Sequence, residues 1–107
     1  MFPDLFRQDV WDVDFDELGE HPGVILSVNR LNEKLSTVVV VLITGTSGPD
    51  THVPLGPEAG LTRYPESYAN VADIHAVDRL ACLERRGRVS NEEMDHITRQ
   101  LRVYLGC

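Results

Sequence analysis

Apolar and polar residues alternate from Val10 to Phe15, with Trp11, Val13 and Phe15 on one side and Val10, Asp12 and Asp14 on the other. A period of two marks a half-buried strand and turns Trp11 toward a core. The next segment, Asp16-Glu17-Leu18-Gly19-Glu20-His21-Pro22, is polar and carries Gly and Pro, which predicts a loop ending at Pro22. Gly23 to Ser27 predicts a second strand, and Asn29 to Leu35 a polar turn with room for one helical turn. Thr37 to Thr44 is β-branched and apolar on both faces, the pattern of a central strand buried on both sides. Gly45 to Asp50 is loop, and Thr51 to Leu55 a short strand that Pro54 confines to a sheet edge.

Gly and Pro signals make Gly56 to Pro65 a long connection. Ser67 to Val71 predicts a strand, Asp78 to Leu83 a helical turn, and Glu84 to Val89 a short, Arg-rich hairpin or strand. The last element carries the clearest helix signals. Ser90 and Glu93 form a capping box, Met94, Ile97, Leu101 and Tyr104 or Leu105 make one apolar stripe, and Gly106 stands at the stop. These elements predict one domain over residues 1–107, a mostly antiparallel barrel closed by a C-terminal helix.

Composition narrows the function classes. The longest apolar run, Val38 to Ile43, is far shorter than the roughly 18–20 residues of a membrane span. The N-terminus has no basic segment followed by an apolar stretch, so a cytoplasmic location is expected. Cys82 and Cys107 have no metal-ligand spacing and make no disulfide framework. The net charge of −7 argues against a broad basic platform for phosphates. The charge is uneven, however: residues 1–20 hold seven acids against Arg7, while residues 79–107 hold six arginines against four acids. Charge alone leaves nucleic-acid binding open, with modest and salt-sensitive affinity.

Candidate chemistry is sparse. His21, His52, His75 and His96 lack the short pairwise spacings of a zinc site, so no metal or other cofactor is expected. No phosphate-cradling glycine loop leads into a helix, and no nucleophile-elbow motif is present. Asp12 and Asp14 lie two apart on a strand, where both face solvent. What remains is the pair of element ends at His21-Pro22 and Thr44.

The order of elements resembles the MazF/PemK (Kid) toxin family, and the motifs follow in sequence. Asp9-Val10-Trp11-Asp12-Val13-Asp14 is similar to the family's opening strand, with Gln8 where Gly is usual. His21-Pro22-Gly23-Val24-Ile25-Leu26-Ser27 resembles its Arg-Pro strand, Asn32 matches the Asn of the following turn, and Thr37 to Thr44 its strand ending in Ile-Thr. Ser67 to Asp78, and Gly87-x-Val89-Ser90 with Glu92-Glu93-Met94, resemble the last two blocks.

The resemblance implies an SH3-like antiparallel barrel of the PemK/CcdB type and a homodimer. It also implies ribosome-independent, metal-independent cleavage of single-stranded RNA, with mRNA the expected target, and neutralisation by a cognate antitoxin. In such chemistry a ribose 2′-hydroxyl attacks its own phosphate, which calls for a base, an acid and donors at phosphorus. Carried over by position, the family's Arg and Thr fall on His21 and Thr44, the expected catalytic pair. Asn32, Thr46, Ser47, Asn70, Asp73 and His75 are the expected substrate contacts. Two other readings stay open: a CcdB-like toxin that binds gyrase, and a catalytically inactive RNA-binding relative.

Overall fold

A computed structural model describes residues 4–62 and 65–107; residues 63 and 64 of the expected 56–65 connection, and residues 1–3, lie outside the described residues. Six strands form one antiparallel sheet: β1 (Asp9–Asp14), β2 (Glu20–Ile25), β3 (Thr37–Thr44), β4 (His52–Leu55), β5 (Ser67–Asp78) and β6 (Cys82–Arg88), in the order β4-β5-β3-β2-β1-β6. A short helix, α1 (Asn29–Lys34), joins β2 to β3, and the C-terminal helix α2 (Asn91–Leu105) follows β6. The expected β-rich antiparallel architecture with a terminal helix is present. Among the described residues, no helix is long and apolar enough to cross a membrane.

β3 lies between β2 and β5, and its β-branched residues serve two cores. Val41 and Ile43 join Val10, Val24, Val53, Ala69 and Val71 beneath Met94 and Ile97 of α2. Val38 and Val40 face the other way, into a cluster with Leu5, Trp11, Val13, Phe15, Ile25, Val77 and Cys82. Val10, on the polar side of its strand pattern, is fully buried because α2 covers that face. Asp12 shares the face and is held by Arg86 at 2.5 Å, whereas Asp14 is exposed.

The ends of α2 follow the sequence signals. Ser90 Oγ accepts from the Glu93 N–H at 3.1 Å, Glu93 Oε1 accepts from the Ser90 N–H at 2.7 Å, and Gly106 ends the helix in the left-handed region. The other oxygen of Glu93 accepts from the Gly56 N–H and ties the helix to the end of β4.

Three expectations change. The barrel is not closed, since β4 and β6 end the strand order and do not pair with each other among the described residues. Backbone packing joins them instead, because the 3-10 turn Pro57–Ala59 after β4 lies against β6 at Gly87. β5 runs past Val71 to Asp78, accommodating its polar residues through an irregularity opposite Leu42. The segment from Asp78 to Leu83 divides into a 3-10 turn, Arg79–Ala81, and the start of β6.

Candidate active site

The link from β1 to β2 is shorter than its composition suggests. One 3-10 turn, Asp16–Leu18, ends at Gly19 with φ of 80°, a conformation glycine adopts at little cost. β2 therefore begins at Glu20, and His21 and Pro22 are strand residues rather than the end of a loop. His21 stands opposite Val13, and Pro22 opposite Asp12. Strand alternation turns His21 toward the face of Val13 and Ile25, and Pro22 toward the face covered by α2. Pro22 is buried beside a 350 Å³ cleft shared with Asp12, Glu20, Leu61 and Arg86. The Asp12 hydrogen bond there raises the Arg86 guanidinium above its usual basicity.

His21 is half-buried, and its Nε2 lies 2.8 Å from the Leu18 carbonyl oxygen. A carbonyl only accepts, so Nε2 carries the hydrogen and Nδ1 of the neutral ring keeps its lone pair. The free nitrogen of this imidazole is thus a proton acceptor.

Thr44 ends β3, the strand that lies beside β2. The ladder between the two strands ends at Gly23–Leu42, with His21 two residues beyond it on β2 and Thr44 two residues beyond it on β3. Both lie on the face of Val38 and Val40 by alternation. Thr44 Oγ1 accepts from the Thr46 N–H at 3.3 Å, which leaves its own O–H to donate.

Phe15 organises this end of the sheet. Its ring lies over Gly23, where an added β-carbon would stand 3.5 Å from Phe15 Cζ. The ring centroid is 6.5 Å from that of His21 and, edge-on, 5.0 Å from that of His75. His75 reaches Phe15 from β5, opposite Val40, with 28% of its side chain exposed. Its Nε2 lies 2.5 Å from Asp73 Oδ1. His75 also lines a 220 Å³ cavity with Asp14, Asp16 and Asp78.

His21, Thr44, His75 and Asp73 therefore share one face of the sheet, with Phe15 between the two histidines. Thr46 and Ser47 are exposed in the loop directly after β3. Asn70 stands opposite His52 and accepts from the Ala72 N–H at 3.1 Å, holding the irregular stretch of β5. Asn32 stands apart. It is 1% exposed, donates to the Leu5 and Ser27 carbonyls at 3.2 and 2.9 Å, and accepts from Ser27 Oγ at 2.5 Å. Its amide fastens α1 to the N-terminal segment and the end of β2, and burial keeps it from any substrate.

Two residues of this end were missed by sequence reasoning. Phe15 reads from sequence as one more core residue of β1, and its place between two histidines depends on long-range pairing. Tyr68 pairs with Thr44, and its hydroxyl donates to Glu66 at 2.7 Å, which raises the phenol above its usual range. Among the described residues, no group of three or more His, Cys, Asp or Glu side chains is placed to hold a metal ion.

A family model for the PemK-like, MazF-like toxin of type II toxin–antitoxin systems matches residues 6–105. A structure described as an endoribonuclease from a mycobacterial species superposes with a TM-score of 0.84 and 27% identity, covering 99% of this chain and 95% of that one. A mycobacterial endoribonuclease in complex with its cognate antitoxin gives a TM-score of 0.85 and 29% identity, covering 95% of each chain. A MazE–MazF structure from Deinococcus radiodurans shares the fold, with a TM-score of 0.79 at 17% identity over 99% of this chain and 97% of that one. No curated protein matches the chain.

Proposed function

The chain belongs to the PemK-like, MazF-like toxin family of type II toxin–antitoxin systems, and on that footing we propose that it is a metal-independent endoribonuclease cutting single-stranded RNA. The observation that carries this reading is that His21 and Thr44 share one face of neighbouring strands, each two residues past the last β2–β3 pair, Gly23–Leu42. His21 Nδ1, free while Nε2–H is bound to the Leu18 carbonyl, takes the proton of the ribose 2′-hydroxyl. Thr44 O–H donates to a phosphate oxygen as charge builds at phosphorus. The 2′-oxygen displaces the 5′-oxygen, leaving a cyclic phosphate and a 5′-hydroxyl. Thr46, Ser47 and Asn70, near Thr44 and Tyr68 in the chain, are the contacts we assign to the adjoining nucleotides.

The target class we favour is mRNA in the cytoplasm. A cognate antitoxin fits the family, and one matched mycobacterial endoribonuclease was solved with its own. The homodimer needs an uncovered apolar surface, and the last turn of α2 supplies one in Val103, Tyr104 and Leu105. The gyrase-binding reading is not favoured, because the chains it matches are described as endoribonucleases and MazF.

The test uses purified protein, mixed-sequence single-stranded RNA and EDTA. Cleavage with cyclic-phosphate ends is expected, with a loss of about 100-fold or more in His21→Ala. A rate unchanged between about pH 5 and 9 would remove His21 from proton transfer. RNA binding without turnover, unaffected by His21→Ala, would mark an inactive relative.

A further inference from the structure

We propose that His75, held by Asp73, is the general acid that protonates the departing 5′-oxygen; this rests on the endoribonuclease reading and completes its proton transfers. One histidine cannot both take the 2′ proton and supply the 5′ proton in a single displacement, so a second group is needed. His75 is the other imidazole against Phe15, with ring centroids 5.0 Å apart, and its ring makes no other aromatic contact among the described residues.

The two imidazoles differ in what holds them. His21 Nε2 meets a neutral carbonyl. His75 Nε2 meets a carboxylate at 2.5 Å, so an imidazolium there has its counter-ion in place. In both rings a fixed acceptor on Nε2 leaves Nδ1 for chemistry. The division of labour follows from the partners: His21 is the base and His75 the acid.

The protons balance. His21 Nδ1 takes the 2′-hydroxyl proton as the 2′-oxygen bonds to phosphorus. The P–O5′ bond breaks, and the leaving oxygen takes the proton from His75 Nδ1. Solvent then restores both rings. Asp14, Asp16 and Asp78 line the cavity beside His75 and repel a phosphodiester, so RNA meets the ring away from that cavity. Asp73 is a positioning residue.

The experiment first maps a cleavage site for the wild type on a long RNA. It then compares two oligonucleotides carrying that site, one natural and one with sulfur replacing the bridging 5′-oxygen, whose thiolate departs without a proton donor. On the natural substrate His75→Gln should lose about 100-fold or more, and Asp73→Asn less. On the sulfur substrate both should return to within about tenfold of wild type, while His21→Ala stays impaired. Equal losses of His75→Gln on both substrates, or no loss on either, would overturn the assignment. A wild type that cuts no RNA would sink the nuclease reading itself, and with it the role of His75.

Discussion

A β-carbon on Gly60 would lie 2.1 Å from the carbonyl oxygen of Arg86, so the turn after β4 rests directly on the backbone of β6. This contact joins the two ends of the sheet where no strand pairing does among the described residues. Gly60 also has φ of 71°, in the left-handed region, and Gly87 meets the Glu58 carbonyl so closely that a β-carbon would stand 2.5 Å away. Neither obstacle is a side chain that could turn aside. Gly60→Ala and Gly87→Ala should each destabilise the fold by roughly 2 kcal/mol or more, Gly60→Ala the more severely. Urea titrations of the two variants would decide it, and wild-type midpoints would show that the backbones separate readily.

Asp9 has 3% of its side chain exposed and accepts from Arg85 at 3.1 Å and Arg88 at 3.2 Å. The two guanidinium side chains are about half exposed, so either can return to water if it loses its partner. The carboxylate cannot. The double variant Arg85→Ala/Arg88→Ala, which strands the buried carboxylate, should therefore cost about 3 kcal/mol or more in a urea titration. Asp9→Ala, which leaves only guanidinium groups that water can reach, should cost less, about 1–2 kcal/mol. A loss in Asp9→Ala as large as that of the double variant would show that a stranded carboxylate is not the source of the cost.

Gln8 occupies the place where the family resemblance expects Gly, and the backbone explains the preference: φ is 85°. Here the side chain offsets the strain. Its Nε2 donates to the Val89 carbonyl at 2.7 Å and to Asn91 Oδ1 at 3.0 Å, fastening the start of β1 to the start of α2. Gln8→Gly relieves strain and loses both bonds, so its stability should stay within about 1 kcal/mol of wild type. Gln8→Ala loses the bonds and keeps the strain, and should fall by about 1–2 kcal/mol. Denaturation of the pair separates the two effects; Ala as stable as Gly would mean that the strain is negligible.

Local signals set the clearest elements, and pairing sets the site. β3 and α2 are legible because a β-branched run and a capping box act within a few residues. The pattern alone ends β5 at Val71 because Asp73, His75 and Asp78 look like turn residues, and only the ladder with β3 reveals them as strand. His21 and Pro22 read as loop because nothing local shows that Gly19 permits a single-turn link, which makes both residues part of β2. His21 and Thr44 can be named from the family motifs, yet their sharing one face of neighbouring strands depends on the strand order and alternation. Asn32 matches a motif position for an architectural reason, as its buried amide bonds show.

Cys82 and Cys107 should behave oppositely toward alkylation. Cys82 is buried, and removal from water pushes its thiol from an ordinary 9.0 up to about 11; Arg79 pulls it down and Asp78 adds to the rise. Cys107 is exposed. Iodoacetamide at about pH 8 should modify Cys107 alone, and Cys82 only after unfolding. The same shift makes the fold sensitive to alkali. Below pH 9 the thiol keeps its proton in both states, whereas between about 9 and 11 the unfolded chain releases it and the folded one does not. Stability should therefore fall as pH rises through that window, by an amount on the order of 1–2 kcal/mol that is absent in Cys82→Ala. Denaturation midpoints of both proteins at intervals across the window would show it. Parallel curves would mean that the thiol is not held protonated by the fold.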